Sequence, residues 1–396
     1  MHRWWVVGCA FLLALWGWGL GFYGLSVYLV SLRAVRPWST SQISTAFTAY
    51  YLGGAVLTIF AGDVFRRMGP RAAVTTGALA MSAAVAALPV ITALWQLYVA
   101  MAALAVAWAG MSLAAVNILV APWFPEQRDR GKALSLALTG ASCGGVLVAP
   151  ALLWLIHRRG FALAMWVGAA AMLATLLPAV GWILRRSPPV ATGAPPAPMA
   201  AQRRRALGTV GYWTISASYA LGLAAQVGVI THLVAFLVPK LGAGGAGLAL
   251  SVTTLCAVLG RFYLAPAVDR LGPRPVSCAN FLQEAVGLAL LVTGESTLIL
   301  YAGCVLVGFA VGNMITLPGL LVQDEFAPAE FAAVVSLIVG VNQFAYALAP
   351  AAVGVLRDRS GGYGSALGLC ITLLVMAAAV ILVGGGRRAA SRASPA

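Results

Sequence analysis

The sequence predicts an all-α membrane protein whose twelve transmembrane helices form two pseudo-symmetric six-helix bundles. Three observations lead there. The 396 residues are 61% hydrophobic and 9% charged, with a mean hydropathy of +0.93, whereas a soluble domain carries about 25% charged residues. Twelve apolar runs approach the roughly 20 residues that cross a hydrocarbon core. The two halves of the chain also repeat one another. The runs are continuous and do not alternate with period two, which excludes a closed β-barrel.

The runs can be justified in order. The first, 4–30, exceeds the 7–15 apolar residues of a secretory leader and reads as a retained membrane helix. Runs at 43–62, 72–91, 95–119, 132–156 and 161–184 follow, so residues 1–184 form the first bundle. Residues 185–208 differ in kind. They begin RRSPPVATGAPPAPMAAQRRR, rich in proline and alanine, without acids and basic at both ends. Such a segment buries no core, so it is expected to be a flexible cytoplasmic linker with its ends near anionic headgroups. Runs at 209–239, 247–268, 275–293, 297–322, 332–356 and 364–384 make the second bundle, 209–386, and 387–396 is a cytoplasmic tail.

Orientation follows from the basic residues. With the N-terminus inside, the larger set lies on the cytoplasmic side: Arg3, Arg66, Arg67, Arg71, Arg128, Arg130, Lys132, Arg185, Arg186, Arg203, Arg204, Arg205, Arg270, Arg274, Arg387, Arg388 and Arg392. The smaller set, Arg33, Arg36, Arg158, Arg159, Lys240, Arg357 and Arg359, lies outside. This bias puts both termini in the cytoplasm, in a plasma or bacterial inner membrane. The net charge of +15 is therefore topological. The arginines fall in short clusters between apolar runs and make no nucleic-acid surface. The six cysteines sit inside apolar runs without a CxxC pair, so no metal or cofactor is expected. No Walker, zinc or nucleophile-elbow motif appears, and the chain reads as no enzyme.

The repeat is visible directly. RRMGPR at 66–71 returns as DRLGPR at 269–274, after the second run of each half. GASCGGVLVAP at 140–150 returns as GVNQFAYALAP at 340–350, in the fifth. GxxxG-like spacing at Gly17–Gly21 and Gly140–Gly144 would let helices approach closely. Repeats of this kind mark transporter folds.

On DRLGPR and its degenerate first copy GDVFRRMGPR, the chain resembles the major facilitator superfamily over essentially its whole length. The first copy has Arg66 where the family places an aspartate. WFPEQRDRGKALSLALTGASCGG at 123–145, GRFYLAPAVDRLGPR at 260–274 and THLVAFLVPKLG at 231–242 resemble the monocarboxylate porter and oxalate–formate antiporter group.

Arg261 is the one charge deep in a run, some four residues or roughly 6 Å past the centre of 247–268. An arginine there costs about 3 kcal/mol on insertion scales and needs a polar cavity or a partner. The resemblance implies that it lines the substrate path and meets a carboxylate, with a fork suited to two parallel hydrogen bonds. The competing reading is a structural ion pair or a snorkelling side chain. Its repeat partner is Thr58. Asn342, Gln343 and Tyr346 centre the eleventh run, where the first half has Ser142, Cys143 and Val146. They are binding candidates or interhelical glue. The lysine that the oxalate–formate antiporters carry in this helix is missing, which favours a monoanion. Tyr23, Tyr50, Tyr51, Ser142, Gln226 and Asn313 complete the binding candidates. Asn117, near a helix end, reads as structural.

For proton coupling the candidates are His232, which titrates near neutrality if unperturbed, and Arg261. Glu284, the only acid near a helix centre, is assigned a structural or interfacial role because the ninth helix is peripheral in the family's fold. By the same resemblance, Arg66 with Glu330 and Asp269 with Arg130 are expected to latch a cytoplasmic gate. The expected function is secondary-active, alternating-access transport of a small organic anion, a monocarboxylate, by a monomer in a lipid bilayer, with protons a candidate coupling ion and the coupling ion left open by the sequence. The alternatives are a proton-coupled drug exporter of the same fold, which calls for an acid in a cavity-lining helix of the first half, and a transporter-like membrane sensor.

Overall fold

A computed structural model describes residues 2–124, 127–185, 199–327 and 330–383, and among these there is no strand. Residues 186–198 of the expected linker and the expected tail at 387–396 lie outside the described residues. The last part of the linker forms a helix (Met199–Leu207, α11 below), built from alanine, glutamine, arginine and leucine, all good helix formers.

The first six passes are α1 (His2–Trp18) with α2 (Gly24–Val35), α3 (Thr40–Ile59) with α4 (Ala61–Met68), α5 (Pro70–Ala87), α6 (Leu94–Met111) with α7 (Leu113–Val120), α8 (Gln127–Cys143) with α9 (Ala149–Arg159), and α10 (Phe161–Ile183). After α11, the run α12 (Val210–Leu271) makes two passes broken at Gly242 (φ 70°, ψ 172°). Then come α13 (Pro273–Thr293), α14 (Thr297–Asn313) with α15 (Leu317–Glu325), α16 (Phe331–Ala347) with α17 (Ala349–Ser360), and α18 (Gly364–Leu382). The twelve passes match the runs read from hydropathy, but several are interrupted where a single straight helix was expected. One-turn π-helical segments, Gly19–Tyr23 and Gly144–Val148, interrupt the first and fifth passes. The second bends by 59° between α3 and α4, and the tenth by 42° between α14 and α15. The fourth breaks at Ser112, whose backbone is extended (φ −75°, ψ 177°).

The repeat is written into the backbone. Gly69 (φ 80°, ψ 155°) and Gly272 (φ 82°, ψ 161°) hold the same left-handed conformation, 203 positions apart. A side chain is strained there and glycine is not. Each is followed by a proline in the first turn of the next helix, Pro70 and Pro273, where the missing N–H has no intrahelical partner to lose. Pro150 and Pro350 open α9 and α17 in the same way.

By Cα packing the chain divides into two units, Met1–Gly193 with Ile230–Ser251, and Ala194–Val229 with Val252–Ala396. In the first unit α1 packs on α8, and α5 on α6 and α10. Gly140 and Gly144 sit against the backbone of Phe11, Leu15 and Gly19, so the small-residue spacing does serve a close helix crossing. The stretch Ile230–Ser251 is tied into this unit by side chains. Ser44 Oγ lies 3.3 Å from His232 Nε2, Ser26 Oγ accepts from the Val234 N–H at 3.0 Å, and Ser251 Oγ donates to the Val146 carbonyl at 3.1 Å.

In the second unit α13 packs on α14 and α18. Arg274, one of the arginines expected in a solvated basic loop, is instead 7% exposed. Its Nε and Nη2 make a forked pair with Glu325 at 2.6 and 2.9 Å, Nη2 also donates to Thr214 Oγ1 at 3.0 Å, and Nη1 donates to the carbonyls of Ile381 and Val383. One guanidinium thus joins α12, α13, α15 and the end of α18. Its repeat partner Arg71 is exposed.

Arg274→Ala leaves Glu325 as a half-buried unpaired charge and should destabilise the protein by about 3–5 kcal/mol, read as a fall in Tm in detergent. Arg66→Ala, at an exposed pair with Asp63, should stay within about 0.5 kcal/mol. Equal losses in the two variants would refute the clamp. Gly312→Ala drives a methyl into the backbone of Ala257 and should cost about 1–3 kcal/mol. Gly319→Ala, which meets open space, should leave Tm level or raised.

Candidate functional site

The break between α14 and α15 organises the polar centre of the second unit. Pro318 has no N–H to give, and its ring disfavours helical geometry just before it. Residues 314–316 therefore leave the helix, and carbonyls at the end of α14 need other donors. Ala310 and Gly312, whose in-helix donors would be residues 314 and 316, find side chains, and Leu306 and Phe309, which keep Ala310 and Asn313 as helical donors, accept a second bond. Gln283 Nε2 donates to Leu306 O at 3.1 Å, Asn280 Nδ2 to Ala310 O at 3.2 Å, and Asn313 Nδ2 to Phe309 O at 3.1 Å and to Asn280 Oδ1 at 3.0 Å. Arg261 Nε donates to Gly312 O at 3.1 Å.

Arg261 reaches that carbonyl because α12 and α14 touch through their backbones. Gly260 faces Phe309, Gly308 faces Thr253 and Gly312 faces Ala257, each too close to admit a Cβ. The helix next to Arg261 is thereby held against the break, and the half-buried side chain lies along it. The bond through Nε fixes the plane of the guanidinium. A guanidinium held in one plane can meet a planar anion with two parallel hydrogen bonds, a match of geometry as well as of charge.

The other sequence-derived candidates fall in several places. Asn313 joins the Arg261 region through the same break. On α16, Asn342 is buried with no partner for its Oδ1 among the described residues, while Gln343 and Tyr346 are half-buried one turn apart. Gln226, on α12, faces Glu284 of α13. In the first unit, Tyr23 ends the π-helical turn and stacks edge-on with Phe22 at 5.1 Å, and Phe22 contacts Tyr51 at 6.3 Å. Tyr50 lies 4.8 Å from Tyr51 and 6.3 Å from Trp108, and its hydroxyl packs on Gly21. The three tyrosines thus belong to one aromatic cluster, at a π turn of the kind often found at functional sites. Ser142 is buried just before the second π turn. His232 is buried against Ser44, and Asn117 donates to Leu113 O at 2.8 Å within its own helix.

Two of the expected gate residues have partners within the first unit. Arg66 pairs with Asp63 on the same helix, and Arg130 Nε donates to Phe124 O at 2.9 Å. Asp269 is exposed near the end of α12, and Glu330 precedes α16. Sequence reasoning passed over Asn280 and Gln283. Their spacing to Glu284, at i, i+3 and i+4 of one helix, was the available signal, since it puts three polar side chains on one face.

Comparison with known proteins gives the family. Residues 6–246 and 205–396 each match the pattern of the Major Facilitator Superfamily. A stretch of 125 residues is 30% identical to the probable anion transporter 4, chloroplastic, of Arabidopsis thaliana. It covers 31% of this chain and 23% of that relative, so most of the relative lies outside the match. Among solved structures, a mutant form of the nucleoside transporter NupG superposes with a TM-score of 0.77 at 16% identity, covering 96% of this chain and 99% of the other. A bacterial homolog of the human lysosomal transporter Spinster superposes with a TM-score of 0.76 at 15% identity, covering 100% and 99%. The paired bundles, the repeated glycine–proline turns and a family match that spans the chain lead to one conclusion: this multi-pass membrane protein belongs to the Major Facilitator Superfamily.

Proposed function

We propose that this transporter moves a small organic anion, a monocarboxylate, by alternating access, and that Arg261 is the residue that meets the carboxylate. The observation that carries the reading is the placement of Arg261 Nε on the Gly312 carbonyl at the break of α14. Discontinuous membrane helices bring backbone dipoles to the depth at which transporters bind substrate. A carbonyl end favours a cation, and Arg261 supplies it from the protein itself. An incoming carboxylate would then meet a guanidinium whose plane is already set, so less rotamer freedom is lost on binding.

Further support comes from the chemistry of α16. Asn342, Gln343 and Tyr346 offer neutral hydrogen-bonding groups on α16 and no second cation, which suits a single negative charge. The partial likeness to an anion transporter points the same way. We place both termini in the cytoplasm on the distribution of lysine and arginine.

The test is a thermal-shift series on purified protein with formate, acetate, lactate, pyruvate, oxalate and succinate. At least one monocarboxylate should raise Tm, since a ligand at about 100 times its Kd adds about 2.7 kcal/mol of stability. Arg261→Ala should abolish the shift. Arg261→Lys keeps the charge and loses the fork, so affinity should fall about tenfold or more, equivalent to about 1.4 kcal/mol. A shift of unchanged size in Arg261→Ala removes the arginine from the site, and a wild type indifferent to every carboxylate sinks the anion reading.

A further inference from the structure

Glu284 lies mid-helix in α13 with 0% of its surface exposed. Neither carboxyl oxygen has a hydrogen-bond partner, and no ion pair to it occurs among the described residues. Buried polar groups are nearly always hydrogen-bonded, so an exception calls for an explanation. The surroundings sharpen it. Gln226 of α12 faces the carboxyl, and its Nε2 also lacks a partner. From α18 the titratable group facing it is Cys370. One turn along α13, α14 sets Gly303 and Val307 against Gly287. Of the two acids of α15, Asp324 and Glu325, the latter is occupied by Arg274 towards the start of α13.

The fold does not require an acid here. At the offset of 203 set by the repeated turns, the position equivalent to Glu284 is Met81, an apolar side chain that is likewise 0% exposed. The equivalent place in the sister unit is filled by packing alone. A carboxyl that is dispensable for packing, unpaired and fully enclosed is tolerated as the neutral acid, because burying an uncompensated anion is strongly unfavourable. An unpartnered amide donor beside it can receive the anion when one forms.

We propose that Glu284 is a reversible proton-binding site of the second unit, with Gln226 as the donor that stabilises its deprotonated form. In the loaded state the carboxylic O–H is intact. On release that O–H bond breaks, the proton passes to water, and a Gln226 Nε2–H turns to the carboxylate oxygen. The use of this site in coupling rests on the transport reading above, whereas the site itself does not.

Infrared difference spectroscopy of the full chain in lipid bilayers, stepped from acidic to alkaline buffer, reads the carbonyl stretch of protonated carboxylic acids without any substrate. The wild type should show an acid band at neutral pH that disappears in alkali, and Glu284→Gln should lack it. Gln226→Leu should hold the band to more alkaline buffer than the wild type does. A wild type without such a band, or a band unchanged in Glu284→Gln, overturns the proposal. An unaltered titration in Gln226→Leu overturns the role of the amide. Should Glu284→Gln fail to fold, Glu284→Asp replaces it: a displaced band supports the site, and an identical band overturns it. Failure of the carboxylate thermal-shift series would leave these spectra unaffected, so the two readings fall separately.

Discussion

Within a bilayer, a carbonyl freed by a broken helix must be met by a donor from the protein itself. That constraint ties together most of the second unit. Pro318 ends the helical ladder of α14, Asn280 and Arg261 supply donors to the freed carbonyls of Ala310 and Gly312, and Gln283 and Asn313 add second donors to the carbonyls of Leu306 and Phe309 just before them. For Arg261 to reach, α12 has to approach α14 at backbone distance, which is why Gly260, Gly308 and Gly312 stand at that crossing. Helix packing and backbone satisfaction are one problem here, solved by the same few residues.

Two arginines of this unit show how differently one side chain is used. Arg274 spends its donors on Glu325, Thr214 and two carbonyls and is enclosed by them. It is a clamp, and its charge is neutralised by the Glu325 fork. Arg261 is half-buried and anchored through Nε to a carbonyl dipole. A carbonyl dipole offsets only part of a full charge. Burial and partner type, more than depth along the sequence, separate the structural arginine from the candidate binding one.

The passes were legible in the sequence because hydropathy over about twenty residues is a property of composition, and the repeat was legible because Gly69–Pro70 and Gly272–Pro273 demand the same turn. Arg261 stood out as a lone charge in an apolar run. The interruptions were less visible. Pro318 signalled the break of α14, but Ser112, whose backbone is extended, is itself neither proline nor glycine. Arg274 read as a loop charge because its partner Glu325 lies 51 residues away. Gln226 was legible as a polar residue in a membrane helix. That it faces Glu284 depends on the rotation of α12 against α13, which hydropathy does not encode.

Equivalent positions in the two halves reveal where polar chemistry was added to a shared scaffold. At an offset of 203, Asn280 corresponds to Gly77 and Asn313 to Gly110. In the second unit the two asparagines hydrogen-bond across α13 and α14 at 3.0 Å. In the first, the two glycines meet across α5 and α6, and a Cβ on either would fall 3.4 Å from the other's Cα. One crossing is held by backbone contact, the other by a buried amide pair, and both maintain the same topology. Gln283 and Glu284 likewise stand where the first unit has Ala80 and Met81, and Arg261 where it has Thr58. Five polar residues are therefore surplus to what the helix arrangement needs. Each would carry a desolvation penalty if it served packing alone, and small or apolar residues demonstrably fill the same places. Four of them donate to carbonyls of α14, and the anion and proton roles proposed for Arg261 and Glu284 would account for the cost of burying a charge and an unpaired acid.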